Sequence, residues 1–136
     1  MSPTTETTAG SCVLVFRRIP STVAEVTGDY ESLAGAVHTE EEAQALDRDS
    51  HEVSLTWEVV PYIGSAPGYG ASRVWVAVDT ALGEAVAAMS PSPLAVFDDP
   101  TGAMTWRQNT VEPVMIWEVT LGRIDLSCPQ WPRLDG

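Results

Sequence analysis

At 136 residues and 44% hydrophobic content, the chain is long enough to bury one core unaided and has the length of a single domain. Its 19 acidic residues against 7 basic ones, all of them Arg, leave a net charge of −12, a field that repels phosphate and anionic lipid and excludes nucleic acid and membrane surfaces as partners. No apolar run approaches the length of a membrane span. The absence of Lys and the single Asn, Asn109, fit a GC-rich genome, with a phage among the candidate sources.

Residues 1–11 are rich in Ser and Thr and read as a flexible arm. They lack the apolar core of a secretory signal, so the expected location is the cytoplasm, or a virion for a phage protein, and not the exterior. Cys12 and Cys128 are then expected as reduced thiols packed as small hydrophobes; only export would favour a bridge between them. The body is expected over residues 12–127 as one α+β domain. It opens on Cys12-Val13-Leu14-Val15-Phe16, a continuous β-branched run typical of a buried strand.

Between Glu25 and Glu52 stand nine carboxylates and one Arg, Arg48. Within this region Tyr30, Leu33, Ala34 and Val37 fall at i, i+3, i+4 and i+7, which predicts a helix with Asp29 as its cap. Thr39 and Glu42 make a capping-box pattern for a second helical stretch through Ala43 and Leu46. Val53, Leu55, Trp57 and Val59 alternate with polar residues and predict a half-buried strand. A second alternating strand spans 73–79, with Val74, Val76 and Val78 on one face and Trp75 and Ala77 on the other. The Gly/Pro/Ser-rich connection between them, Pro61 to Ser72, is far longer than the roughly 2–5 residues of an ordinary hairpin loop.

Thr80 is expected to cap a helix with Leu82, Ala85, Val86 and Met89 on its apolar face, stopped by Ser90-Pro91-Ser92-Pro93. Asp99-Pro100-Thr101-Gly102 has the pattern of a type I turn and predicts a hairpin between Leu94–Phe97 and Ala103–Arg107. The last long strand is expected over Val111–Leu121, with Met115, Trp117 and Val119 on one face. Gly122 then turns the chain into Arg123–Leu126. Residues 128–136 read as a Pro-rich tail carrying Trp131 between two prolines. The order resembles a ferredoxin-like β-α-β-β-α-β unit followed by a C-terminal hairpin or meander, with extended termini. The alternative is a mostly-β sandwich or barrel.

No metal, cofactor or nucleophile signature survives inspection. His38 and His51 have no ligand-spaced partners. Asp47-Arg48-Asp49-Ser50-His51 begins like a calcium loop but places Glu52 where Gly is required. Gly64-Ser65-Ala66-Pro67-Gly68-Tyr69-Gly70 lies between two strands, whereas a phosphate loop must open a helix. No cofactor is therefore expected, and catalysis is not the favoured reading. The candidate contact residues are Tyr62 and Tyr69 in the long loop, the acidic group Glu40, Glu41 and Glu42, and Trp131, an apolar anchor that docks on its own body or on a neighbour. The leading expectation is a non-enzymatic assembly or protein–protein interaction protein, such as a virion component, acting as a homo-oligomer or within a larger assembly. The alternatives are a small dimeric α+β enzyme or ligand-binding protein, and an acidic inhibitor of a basic target.

Overall fold

The computed structural model describes residues 10–19, 30–50, 53–64, 71–127 and 129–134. Most of the expected N-terminal arm, Asp29, the end of the calcium-like run, the loop segment with Tyr69, and Cys128 lie outside the described residues. The fold is mixed α+β. Strands β1 (Ser11–Ile19), β2 (Tyr30–Val37), β3 (Ser54–Pro61) and β7 (Arg123–Ile124) form an antiparallel sheet in the order β3-β1-β2-β7. Strands β4 (Arg73–Asp79), β5 (Pro93–Phe97) and β6 (Val114–Thr120) form a second antiparallel sheet in the order β5-β4-β6. Among the described residues there are three helices, α1 (Glu40–Asp49), α2 (Glu84–Met89) and α3 (Pro100–Asn109), and none is long and apolar enough to cross a membrane.

Both sheets are apolar on both faces, and this stacks the fold in four layers. Cys12, Leu14 and Phe16 of β1 face Val74, Val76 and Val78 of β4 and Met115, Trp117 and Val119 of β6 across the space between the sheets. The alternate residues of β1, Val13 and Val15, point outward and are covered by Ala43 and Leu46 of α1. On the far side, Ala77, Phe97 and Ile116 are covered by Ala103, Met104 and Trp106 of α3. The Phe97 and Trp106 rings meet at 5.5 Å and 54°. Isolated bridges tie the sheets at two corners, Tyr62 to Val96 and Ala36 to Leu121, without closing a barrel.

Two expected elements are corrected. The helix expected over Tyr30–Val37 is strand β2. A bulge between Val15 and Phe16 of β1 inserts Ala34 into the register, so Leu33 pairs with Phe16 and Ala36 with Leu14. Leu33 and Ala36 thereby face the same core three residues apart, a spacing that imitates a helix. The hairpin expected around Asp99 is the start of α3. Asp99 is its N-cap, accepting the Gly102 N–H at 2.7 Å, with Pro100 at the first helical position. A type I turn and a first helical turn have nearly the same backbone angles, so the tetrapeptide alone does not distinguish them. With these changes the described order begins β-β-α-β-β-α, and two sheets stand where one was expected.

Thr39 caps α1 as expected: its Oγ1 accepts the Glu42 N–H at 3.2 Å, and Glu42 Oε1 lies 3.2 Å from the same hydroxyl. Helix α2 starts later than expected, with Gly83 at its N-cap, and it turns the other way. Its small Ala87 enters the core, while Leu82, Val86 and Met89 are exposed at 81%, 39% and 43%.

Among the described glycines, Gly35 is the most closely enclosed. Its φ is +153°, and a Cβ there would stand 2.5 Å from the Arg123 carbonyl oxygen of β7. Gly35→Ala is expected to lower stability by about 1–3 kcal/mol in urea unfolding. Gly102 has only ordinary contact distances around it, so Gly102→Ala in α3 is expected to raise stability by about 0.5–1 kcal/mol. Equal effects from the two substitutions would contradict this register.

Candidate functional site: a groove at the mouth of the sandwich

Beside the Ala36–Leu121 bridge, α2 packs against β2, and the C-terminal tail runs along β6 and reaches across to β2. The tail is a partial edge strand. Its Pro132 carbonyl accepts the Glu118 N–H at 2.8 Å, and its Leu134 N–H donates to the Ile116 carbonyl at 2.8 Å. Arg133 bridges to Trp117, and the Leu134 carbonyl accepts from the Arg107 guanidinium at 3.2 Å. Pro129 and Pro132 favour the extended backbone that this docking needs.

Tail alternation sends Trp131 and Arg133 toward the opening. The Trp131 indole N–H donates to the Leu33 carbonyl at 2.8 Å, joining the tail to β2 of the other sheet. Arg133 reaches α2, where its two terminal nitrogens contact the two Glu84 oxygens at 2.9 and 3.1 Å. Both side chains are about half exposed, so the pair adds about 1 kcal/mol at most. Its value is geometric: it fixes the far rim of a groove.

That groove has a volume of about 370 Å³. Leu33, Met115 and Trp117 from the core form its apolar floor, Ala88 and Trp131 its walls, and Glu84, Arg133, Ser32 and Gln130 its polar rim. Trp131 also borders a second, more polar depression of about 560 Å³ with Arg123 and Asp125. There the Ser127 hydroxyl and backbone N–H hold the Asp125 carboxyl below its usual range.

The candidate residues of the sequence are dispersed. Among the described candidates only Trp131 lines the groove, docked on its own body. Tyr62 is buried at the β3–β5 corner, with its hydroxyl beside the Cys12 thiol. Glu40, Glu41 and Glu42 are exposed in the first turn of α1, over the outer face of the four-stranded sheet. Tyr69 lies outside the described residues. Sequence reasoning missed Glu84 and Arg133, which come together from positions far apart in the chain; the two prolines flanking Trp131 were the available sign that the tail is extended and docked.

Among the described residues, no group of three His, Cys, Asp or Glu side chains is placed to hold a metal ion. No family model, curated protein or solved structure matches the chain.

The buried titratable pair sets an alkaline limit. Burial pushes the Cys12 thiol up to about 11, only partly offset by the Tyr62 hydroxyl, and burial followed by the thiol's charge pushes the Tyr62 phenol above its ordinary range. Below pH 9 the thiol is neutral in both folded and unfolded chains, and its full contribution is present. Between pH 9 and 11 the unfolded chain ionises first, so stability falls by about 1.4 kcal/mol per pH unit. Urea unfolding across this window is expected to show the loss, and Cys12→Ala to flatten part of it. An unchanged slope in the variant would contradict the burial of this thiol.

Proposed function

We propose that the protein is a binding protein that takes a small amphipathic ligand in the groove between β2, α2, β6 and the tail. One observation supports this reading above others: core residues that are almost wholly buried, Leu33, Met115 and Trp117, floor a groove with polar groups converging on its rim. Binding pockets combine a largely apolar lining with a few placed polar side chains, in volumes of about 300–1,000 Å³. The site is built on strands and held by the tail's backbone bonds, which limits the ordering cost of binding. Trp131 is a candidate anchor for its own body or for a neighbouring subunit. Docked on its own chain, it closes one wall of the groove, which supports the ligand-binding alternative.

Assembly remains a second reading, favoured by a different observation. Leu82, Val86 and Met89 form an exposed apolar face on α2 and its lead-in, separate from the groove. Exposed apolar patches of this kind mark protein–protein contacts.

A fragment screen followed by amide and methyl NMR tests both readings. Ligand-induced shifts are expected at Leu33, Met115, Trp117 and Trp131, and Ala88→Trp should fill the groove and abolish them while the rest of the spectrum stays native. Fragments that bind Ala88→Trp equally well, or shifts scattered over the surface, contradict the groove. The assembly reading predicts concentration-dependent shifts at Leu82, Val86 and Met89; spectra independent of concentration contradict it.

A further inference from the structure

We infer that the groove selects organic ammonium ions: ligands with a short apolar body and a cationic head. This inference rests on the groove being a binding site, and it adds the sign of the ligand's charge. Three features point the same way.

The first is the wall chemistry. The groove brings together the indoles of Trp117 and Trp131 and the Met115 thioether. The face of an indole is the strongest aromatic partner for a cation, and a thioether is polarisable. The second is the state of the hydrogen-bond donors. The Trp131 N–H is already committed to the Leu33 carbonyl at 2.8 Å, and Arg133 is already committed to both oxygens of Glu84. An anion entering the groove meets a guanidinium whose charge is already balanced by the Glu84 carboxylate. An ammonium finds two indoles in the lining and can share the half-exposed Glu84 carboxylate. The third is the long-range field. With 19 carboxylates against 7 Arg, the molecule concentrates cations near its surface and repels anions.

Arg133 is the opposing element. It competes with a ligand ammonium for Glu84, and it makes selectivity depend on exchange within one exposed ion pair.

The test is a matched series of hexylammonium, hexanol and hexanoate, titrated at neutral pH into the full chain and read by indole fluorescence and calorimetry. Hexylammonium is expected to bind about tenfold more tightly than hexanoate, with the gap narrowing as salt is raised. Glu84→Gln should weaken hexylammonium several-fold more than it weakens hexanol, whereas Arg133→Gln should strengthen hexylammonium relative to hexanol. Hexanol binding in the groove with no ammonium advantage, or tighter binding of hexanoate, overturns the charge selectivity and leaves the groove as a site. If none of the three binds, both the selectivity and the groove reading fall.

Discussion

The architecture depends on one constraint: neither sheet has a polar face. β1 buries Cys12, Leu14 and Phe16 on one side and Val13 and Val15 on the other, and β4 does the same with Val74, Val76 and Val78 against Ala77. A sheet of this kind cannot present either side to water, because each exposed Val or Leu forfeits roughly 1.5–3 kcal/mol of burial. The sheets therefore cover each other, and each needs a helix outside. Small residues at the contacts, Ala43 on α1 and Ala103 on α3, let those helices approach closely.

The same demand explains the tail. The corner bridges hold the sheets together at Tyr62–Val96 and Ala36–Leu121, and the groove lies between Leu33 of β2 and Met115 and Trp117 of β6. Without cover, Met115 and Trp117 would stand at an open mouth. Short helix α2 and the Pro-Gln-Trp-Pro-Arg segment cover that side incompletely, and the remaining gap is the groove. The candidate site is thus a product of packing: it lies between the two sheets, where the short helix and the tail do not quite fill the space. Its polar rim consists of the groups that hold the cover in place, Glu84 and Arg133, with Ser32 and Gln130 beside them.

Much of the strand structure was legible in the sequence. β4 and β6 alternate as expected, with the same residues inward, and the Thr39–Glu42 box starts α1. Two failures have specific causes. The bulge at Ala34 converts a period of two into a local spacing of three across Leu33 and Ala36, and no single-sequence pattern separates that from a helix. At Asp99-Pro100, the turn and the helix cap use the same residue types for the same backbone angles. The downstream residues decide between them: Ala103 and Trp106 lie three apart and share the covered face of the second sheet. The groove was not legible, because Leu33, Glu84, Met115 and Arg133 are brought together only by the stacking of the sheets. Trp131 could be singled out as an anchor, but its target, the Leu33 carbonyl, belongs to a segment whose strand character the bulge disguised.

The docked tail is the feature on which the groove stands, and the Trp131 indole N–H reports it directly. Hydrogen–deuterium exchange of that proton, followed by NMR on the full chain, should show strong protection, because exchange requires the Trp131–Leu33 bond to open along with the tail. Exchange at the rate of a free indole, with the strand amides of β4 still protected, would mean that the tail is undocked and the groove is not formed.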